Sequence, residues 1–94
     1  MRLFILDPFK KVYEGNAREV VLPGEDGEVT ILDFHQPFIY CLTAGFITIR
    51  QQRFKQKDAA SVPQKKTGVK IKNGVARMRG NELVVLVELE KKDA

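Results

Sequence analysis

His35 and Cys41 are the only histidine and the only thiol in the chain, so they are the only side chains that could form a nucleophile–imidazole pair. On one extended strand, residues six apart point the same way but lie about 20 Å from each other. A catalytic dyad would need the chain to fold back between them, so thiol catalysis is disfavoured. Cys41, between Tyr40 and Leu42, reads as a small core residue. His35 stands in Asp33-Phe34-His35-Gln36-Pro37. It is either a turn residue bonded to local backbone or a residue that touches a partner. One histidine and one cysteine cannot build a His/Cys metal centre, and no internal disulfide is possible.

The remaining candidate groups are charges. Between Glu14 and Asp33 there are six acids against one base, a net −5, whereas Arg50 to Lys72 carries eight bases against one acid, a net +7. The overall charge of +4 hides this division, and the two halves can face different partners. Glu25, Asp26 and Glu28 lack the alternating oxygen ligands and closing glutamate of a calcium loop. They form either a solvated turn or an anionic surface for a basic partner. The two acids in Pro23-Gly24-Glu25-Asp26-Gly27 would repel a phosphate, so this glycine turn is no phosphate loop. The basic segment has one aromatic, Phe54, where a base-stacking platform normally offers several.

The elements that must hold these groups are strands. Leu3 and Ile5, then Val12 and Tyr13, flank the turn-like Asp7-Pro8. Val20–Leu22, Val29/Ile31, Phe38–Leu42, Phe46–Ile49, Val69/Ile71, Val75–Met78 and Leu83–Leu89 follow as short apolar or alternating runs. Glu14-Gly15-Asn16, Pro23-Gly24, Asn73-Gly74 and Gly80-Asn81 supply turn chemistry. Asn73-Gly74, between two alternating runs, predicts a two-residue hairpin, and Gly80-Asn81 repeats the signal more weakly. Turns recur roughly every 8–12 residues, the spacing of a sandwich or barrel. Arg50–Gln56 is a candidate short helix, and Gln56–Thr67 reads as an exposed loop. No apolar run approaches the ~20 residues of a spanning helix, and the N-terminal stretch is too short for a signal peptide. A chain of 94 residues makes one domain, here 1–88, with 89–94 as a polar tail.

The order of these pieces resembles the epsilon subunit of F-type ATP synthases. That family has a short strand ending in a glycine turn, a Gly-x-x-Gly-x-hydrophobic-Gly-Ile loop, and then Pro-Gly-His-Ala-Pro. Val12-Tyr13-Glu14-Gly15, Gly24, Gly27, Ile31, His35 and Pro37 stand at the matching positions. Thr30 replaces a family glycine, Asp33-Phe34 replace Pro-Gly, and Gln36 replaces alanine. Thr43-Ala44-Gly45, then Gly74–Met78 and Asn81–Leu86, match the later strands and the final hairpin, so the likeness runs from Leu3 to Glu88 without reordering. The segment from Arg50 to Lys70 is longer and more basic than is typical of the family.

The resemblance implies an all-β fold: a flattened two-layer β-sandwich of about eight to ten short strands. It implies a non-catalytic central-stalk subunit that joins the gamma subunit to the membrane c ring. No cofactor, metal or small-molecule substrate is expected, and the family's ATP-binding helical hairpin has no counterpart in these residues. The location implied is the cytoplasmic face of an energy-transducing membrane, reached only through the complex. Cytosolic loops of c subunits in this family carry an arginine, so Glu25, Asp26, Glu28, His35 and Gln36 are the residues implied at the ring. Phe38, Tyr40 and Leu42 are assigned to the gamma contact or to the core. The alternative is a small basic β-barrel that binds single-stranded nucleic acid, suggested by the +7 segment.

Overall fold

A computed structural model describes residues 1–51 and 65–90. Eight strands account for most of them: β1 (Arg2–Leu6), β2 (Lys11–Asn16), β3 (Glu19–Gly24), β4 (Gly27–Leu32), β5 (Phe38–Leu42), β6 (Gly45–Gln51), β7 (Lys65–Arg79) and β8 (Glu82–Leu89). Hydrogen bonding runs along the order β2-β1-β8-β7-β5-β3-β4, with β6 bridging β3 and β7. Among the described residues, only β1 and β8 pair in parallel.

The long strand β7 makes this a sandwich. Residues 65–71 pair with β6, in the layer that contains β3 and β4. From Ile71 onward β7 pairs with β8, and from Gly74 also with β5, in the layer that contains β1 and β2. Between the halves the β7–β8 ladder skips a residue, from Ile71↔Leu89 to Asn73↔Glu88. This bulge bends the strand from one layer into the other.

Alternation explains the core. Leu83, Val85 and Val87 of β8 are buried, as are Leu3 and Ile5 of β1 and Ile47 and Ile49 of β6. Val20 and Leu22, Ile31, and Ile71, Ala76 and Met78 close against them. No polar or charged side chain is buried among the described residues. Each fully buried aliphatic side chain stabilises the fold by about 1.5–3 kcal/mol relative to exposure.

Several local expectations are corrected. Asn73-Gly74 is not a hairpin turn: both residues lie within β7, just past the bulge at Lys72, and pair with Glu88 and Val87. Gly74 is required there because a Cβ would lie 2.6 Å from the Leu86 carbonyl oxygen. The true hairpin turn is Gly80-Asn81, with φ of 59° and 57°, the left-handed pair that a type I′ turn needs. Glu14-Gly15-Asn16 lies within β2, where it pairs with β1. Arg50 and Gln51 complete β6 instead of starting a helix, and Lys65–Thr67 open β7 instead of ending a loop. The rest of both expected segments lies outside the described residues. Cys41 is exposed, not core. Leu42 takes the inward position at that end of β5, which turns Cys41 outward. β8 runs through Leu89, and residues 91–94 lie outside the described part.

Candidate partner-binding surfaces

One candidate surface is the β4 edge. β4 ends the strand order and, among the described residues, pairs only with β3. The β3–β4 hairpin presents Glu25 and Asp26, and β4 itself turns Glu28, Thr30 and Leu32 outward, all exposed. No ion pair engages the three acids among the described residues. His35 and Gln36 follow the other end of β4. Gly27 and Leu32 are five strand steps apart, or about 17 Å at 3.3–3.4 Å per step. The acidic trio and the His35 loop therefore do not form one tip. They are strung along a single edge.

The His35 loop is fixed by three separate elements. The Asp33 carboxylate pairs with the Met1 ammonium, which also donates to the Ala17 carbonyl at 2.8 Å. The Phe34 amide donates to the side-chain oxygen of Asn81 at 2.7 Å, which ties the loop to the β7–β8 turn. The His35 amide donates to the Leu32 carbonyl at 3.2 Å. The His35 ring nitrogen Nδ1 lies 2.8 Å from the Gln36 carbonyl oxygen, and the ring meets Phe38 edge-on at 5.1 Å. Phe38 in turn packs on Tyr40 at 5.0 Å.

The second surface is the outward face of the β5-β7-β8-β1 layer. Two rows cross its four strands: Ile39–Arg77–Val84–Phe4 and Cys41–Val75–Leu86–Leu6. Ile39 is 71% exposed, Leu86 54% and Val75 41%. A groove of about 530 Å³ runs along one side, lined by Leu6, Pro8, Val75 and Leu86 among others. The exposed Arg77 and Arg79 stand beside Ile39 and Phe38. Apolar groups collected on one face in this way mark a contact surface.

Phe38, Tyr40 and Leu42, expected at the gamma contact or in the core, share the inward parity of β5. Of Phe38, Tyr40 and Leu42, Leu42 is core, Phe38 is half-buried against the core, and Tyr40 is exposed at its rim. The face built by Ile39, Cys41, Val75 and Leu86 was missed. Its signal was present in Leu83–Leu89, which is apolar at both parities: a strand covered on one side only should alternate.

The remaining chemistry is thin. His35 touches Phe38, while Cys41 projects from the opposite face of β5, so the two do not converge. No group of acids, histidines and cysteine that could hold a metal occurs among the described residues. Lys70 lies over the exposed Phe46 ring, with Nζ 5.9 Å from the centroid, on the outer side of the β6–β7 pair. Glu14 accepts from Lys11 and from Arg2 (2.6 Å), and these two cations hold its carboxyl below the ordinary glutamate value.

Residues 1–89 match the family model described as the ATP synthase delta/epsilon chain, beta-sandwich domain. The ATP synthase epsilon chain of Sulfurimonas denitrificans is 38% identical over 88 residues, covering 94% of this chain and 60% of that one. The epsilon chain of Synechococcus sp. is 30% identical over 87 residues, covering 93% and 55%. The chain thus spans a little over half the length of these curated relatives. Among solved structures, the central stalk and c-ring of Tetrahymena thermophila mitochondrial ATP synthase includes a chain with a TM-score of 0.70 at 13% identity, covering 93% of this chain and 62% of that one. The mitochondrial ATP synthase of Euglena gracilis gives 0.70 at 14%, covering 90% and 48%. At such identities the structural likeness speaks for the fold, and the sequence relatives carry the kinship. With 89 of its residues matched from the first onward, this chain belongs to the ATP synthase delta/epsilon β-sandwich family.

Proposed function

We propose that the chain is a non-catalytic subunit of the central stalk of a rotary ATP synthase, coupling the gamma subunit to the c ring. The observation that carries this reading is the pairing of two unlike surfaces on one stiff core. A polar, acidic edge suits a ring of basic loops, and an apolar face suits a permanent protein partner. Glu25, Asp26, Glu28, His35 and Gln36 would meet the ring. Ile39, Cys41, Val75 and Leu86 would meet gamma, with Phe38 and Tyr40 at the rim of that contact.

Charges at a solvated rim contribute only about 0–1 kcal/mol each. Repetition of the ring's loops raises the total through avidity. The family kinship supports this assignment over a nucleic-acid-binding barrel. In this reading the protein sits peripherally at the cytoplasmic face of the membrane. No helix among the described residues is long and apolar enough to cross it.

The test is co-purification of the chain with separately tagged gamma and c ring. Glu28→Lys should weaken ring capture while sparing gamma, and Leu86→Asp should do the reverse. Failure of the unaltered chain to retain either partner would remove the proposal.

A further inference from the structure

Phe34 combines two properties that rarely coincide. Its ring is 81% exposed. Its backbone has φ +61°, the left-handed region that favours glycine and is an outlier for a bulky residue. A strained aromatic with little burial gives the isolated fold nothing that glycine or asparagine would not give better. Residues held in such conformations concentrate at binding sites, because the surroundings must over-determine them. Here they do. Asp33 is held by Met1, the Phe34 amide by Asn81, and the His35 amide by Leu32. Asn81 is itself left-handed, at φ 57°, in the turn that supplies this anchor. The result is a ring carried outward on an immobilised backbone, next in sequence to His35 and at the opposite end of β4 from Glu25 and Asp26.

We infer that Phe34 is an aromatic anchor of the ring contact, inserting between neighbouring loops of the ring while the acids at the far end of the edge set orientation. This rests on the ring-facing role proposed above for the β4 edge. Leu32, 53% exposed on the same edge, gives the anchor an apolar flank. Energetic anchors of interfaces are typically aromatic, and a side chain fixed before binding loses little freedom when it docks.

Two variants of the full chain separate this from a structural role: Phe34→Asn, which removes the ring but suits a left-handed backbone, and Phe34→Leu, which keeps an apolar side chain and the strain. The readouts are the midpoint of thermal unfolding and retention on the isolated c ring, without gamma. Phe34→Asn should unfold at the same temperature as the unaltered chain or higher, yet bind the ring at least tenfold more weakly. Phe34→Leu should stay within about threefold of the unaltered chain in binding. Ring binding by Phe34→Asn equal to that of the unaltered chain overturns the inference while leaving the ring-facing role intact. Equal loss in both variants overturns apolar insertion. Destabilisation by Phe34→Asn overturns the strain premise. No ring binding by the unaltered chain overturns the ring-facing role, and the anchor with it.

Discussion

Replacing Gly74 by alanine places a methyl carbon 2.6 Å from the Leu86 carbonyl oxygen, 3.2 Å from Val87 Cγ1 and 3.3 Å from Val87 Cα. Carbon-to-carbonyl contacts across paired strands normally sit near 3.3–3.6 Å. The two strands must therefore separate by about 0.7 Å at Gly74, just past the bulge where β7 changes layer. Two of the three obstructing atoms are backbone, so no rotamer change relieves the clash. Overpacking of this kind costs about 1–3 kcal/mol. One weakened ladder hydrogen bond adds about 0.5–1.5 kcal/mol. The sum is about 1.5–4.5 kcal/mol. At roughly 4–8 °C per kcal/mol for a domain of this size, the unfolding midpoint should fall by about 6–36 °C. Gly80→Ala is the internal control. Its Cβ would meet nothing within 4 Å, and only its φ of 59° opposes the substitution. The left-handed penalty alone is about 1–2 kcal/mol. Thermal and urea unfolding, followed by circular dichroism, should rank Gly74→Ala as clearly the worse of the two. If it proves no worse than Gly80→Ala, the close approach of β7 and β8 at Gly74 is not what fixes glycine there.

Leu83→Ala, at a fully buried position in β8, should cost about 2–5 kcal/mol in urea unfolding without changing which partners the chain binds. Cys41 should react fully with a maleimide in the folded chain and become protected when gamma is bound, because it lies exposed in the apolar row with Val75 and Leu86. Glu14 has a folded value below its ordinary 4.5, through Lys11 first and Arg2 second, so its contribution to stability is present above that value and fades as the pH falls through the lowered one. Glu14→Gln should therefore lower the unfolding midpoint at neutral pH, and the difference from the unaltered chain should shrink as the pH drops below 4.5.

Periodicity made most strands legible, because β1, β3, β4 and β8 bury alternate residues against one core. It failed where a signal had two physical causes. Asn73-Gly74 and Gly80-Asn81 both look like turns, since both tolerate positive φ. At Gly74 the constraint is instead the approach of Leu86 from a neighbouring strand, which no local window contains. Cys41 was misplaced for a related reason. Phe38–Leu42 is apolar at every position, so alternation is silent, and only the burial of Leu42 sets the parity. The acids and His35 lie close together in sequence. Pairing of β4 with β3 over its whole length draws them apart into an edge.

That edge and the apolar face are joined by more than side-chain packing. β3 pairs with both β6 and β5, and both of these pair with β7. The four strands thus close a hydrogen-bonded circuit between the two layers. In a sandwich whose layers share no strand, sliding one layer over the other disturbs only interdigitated side chains. Here β7 belongs to both layers, so the same slide must break ladder bonds on β7 or open the Gly24↔Leu42 bridge. Under the proposed role, a load entering at Val75 and Leu86 reaches Glu28 along backbone, by way of β6 or β5 and then β3. Stiffness in shear then resides in the continuous strand, and the bulge between Ile71 and Asn73 is what allows one strand to serve both layers.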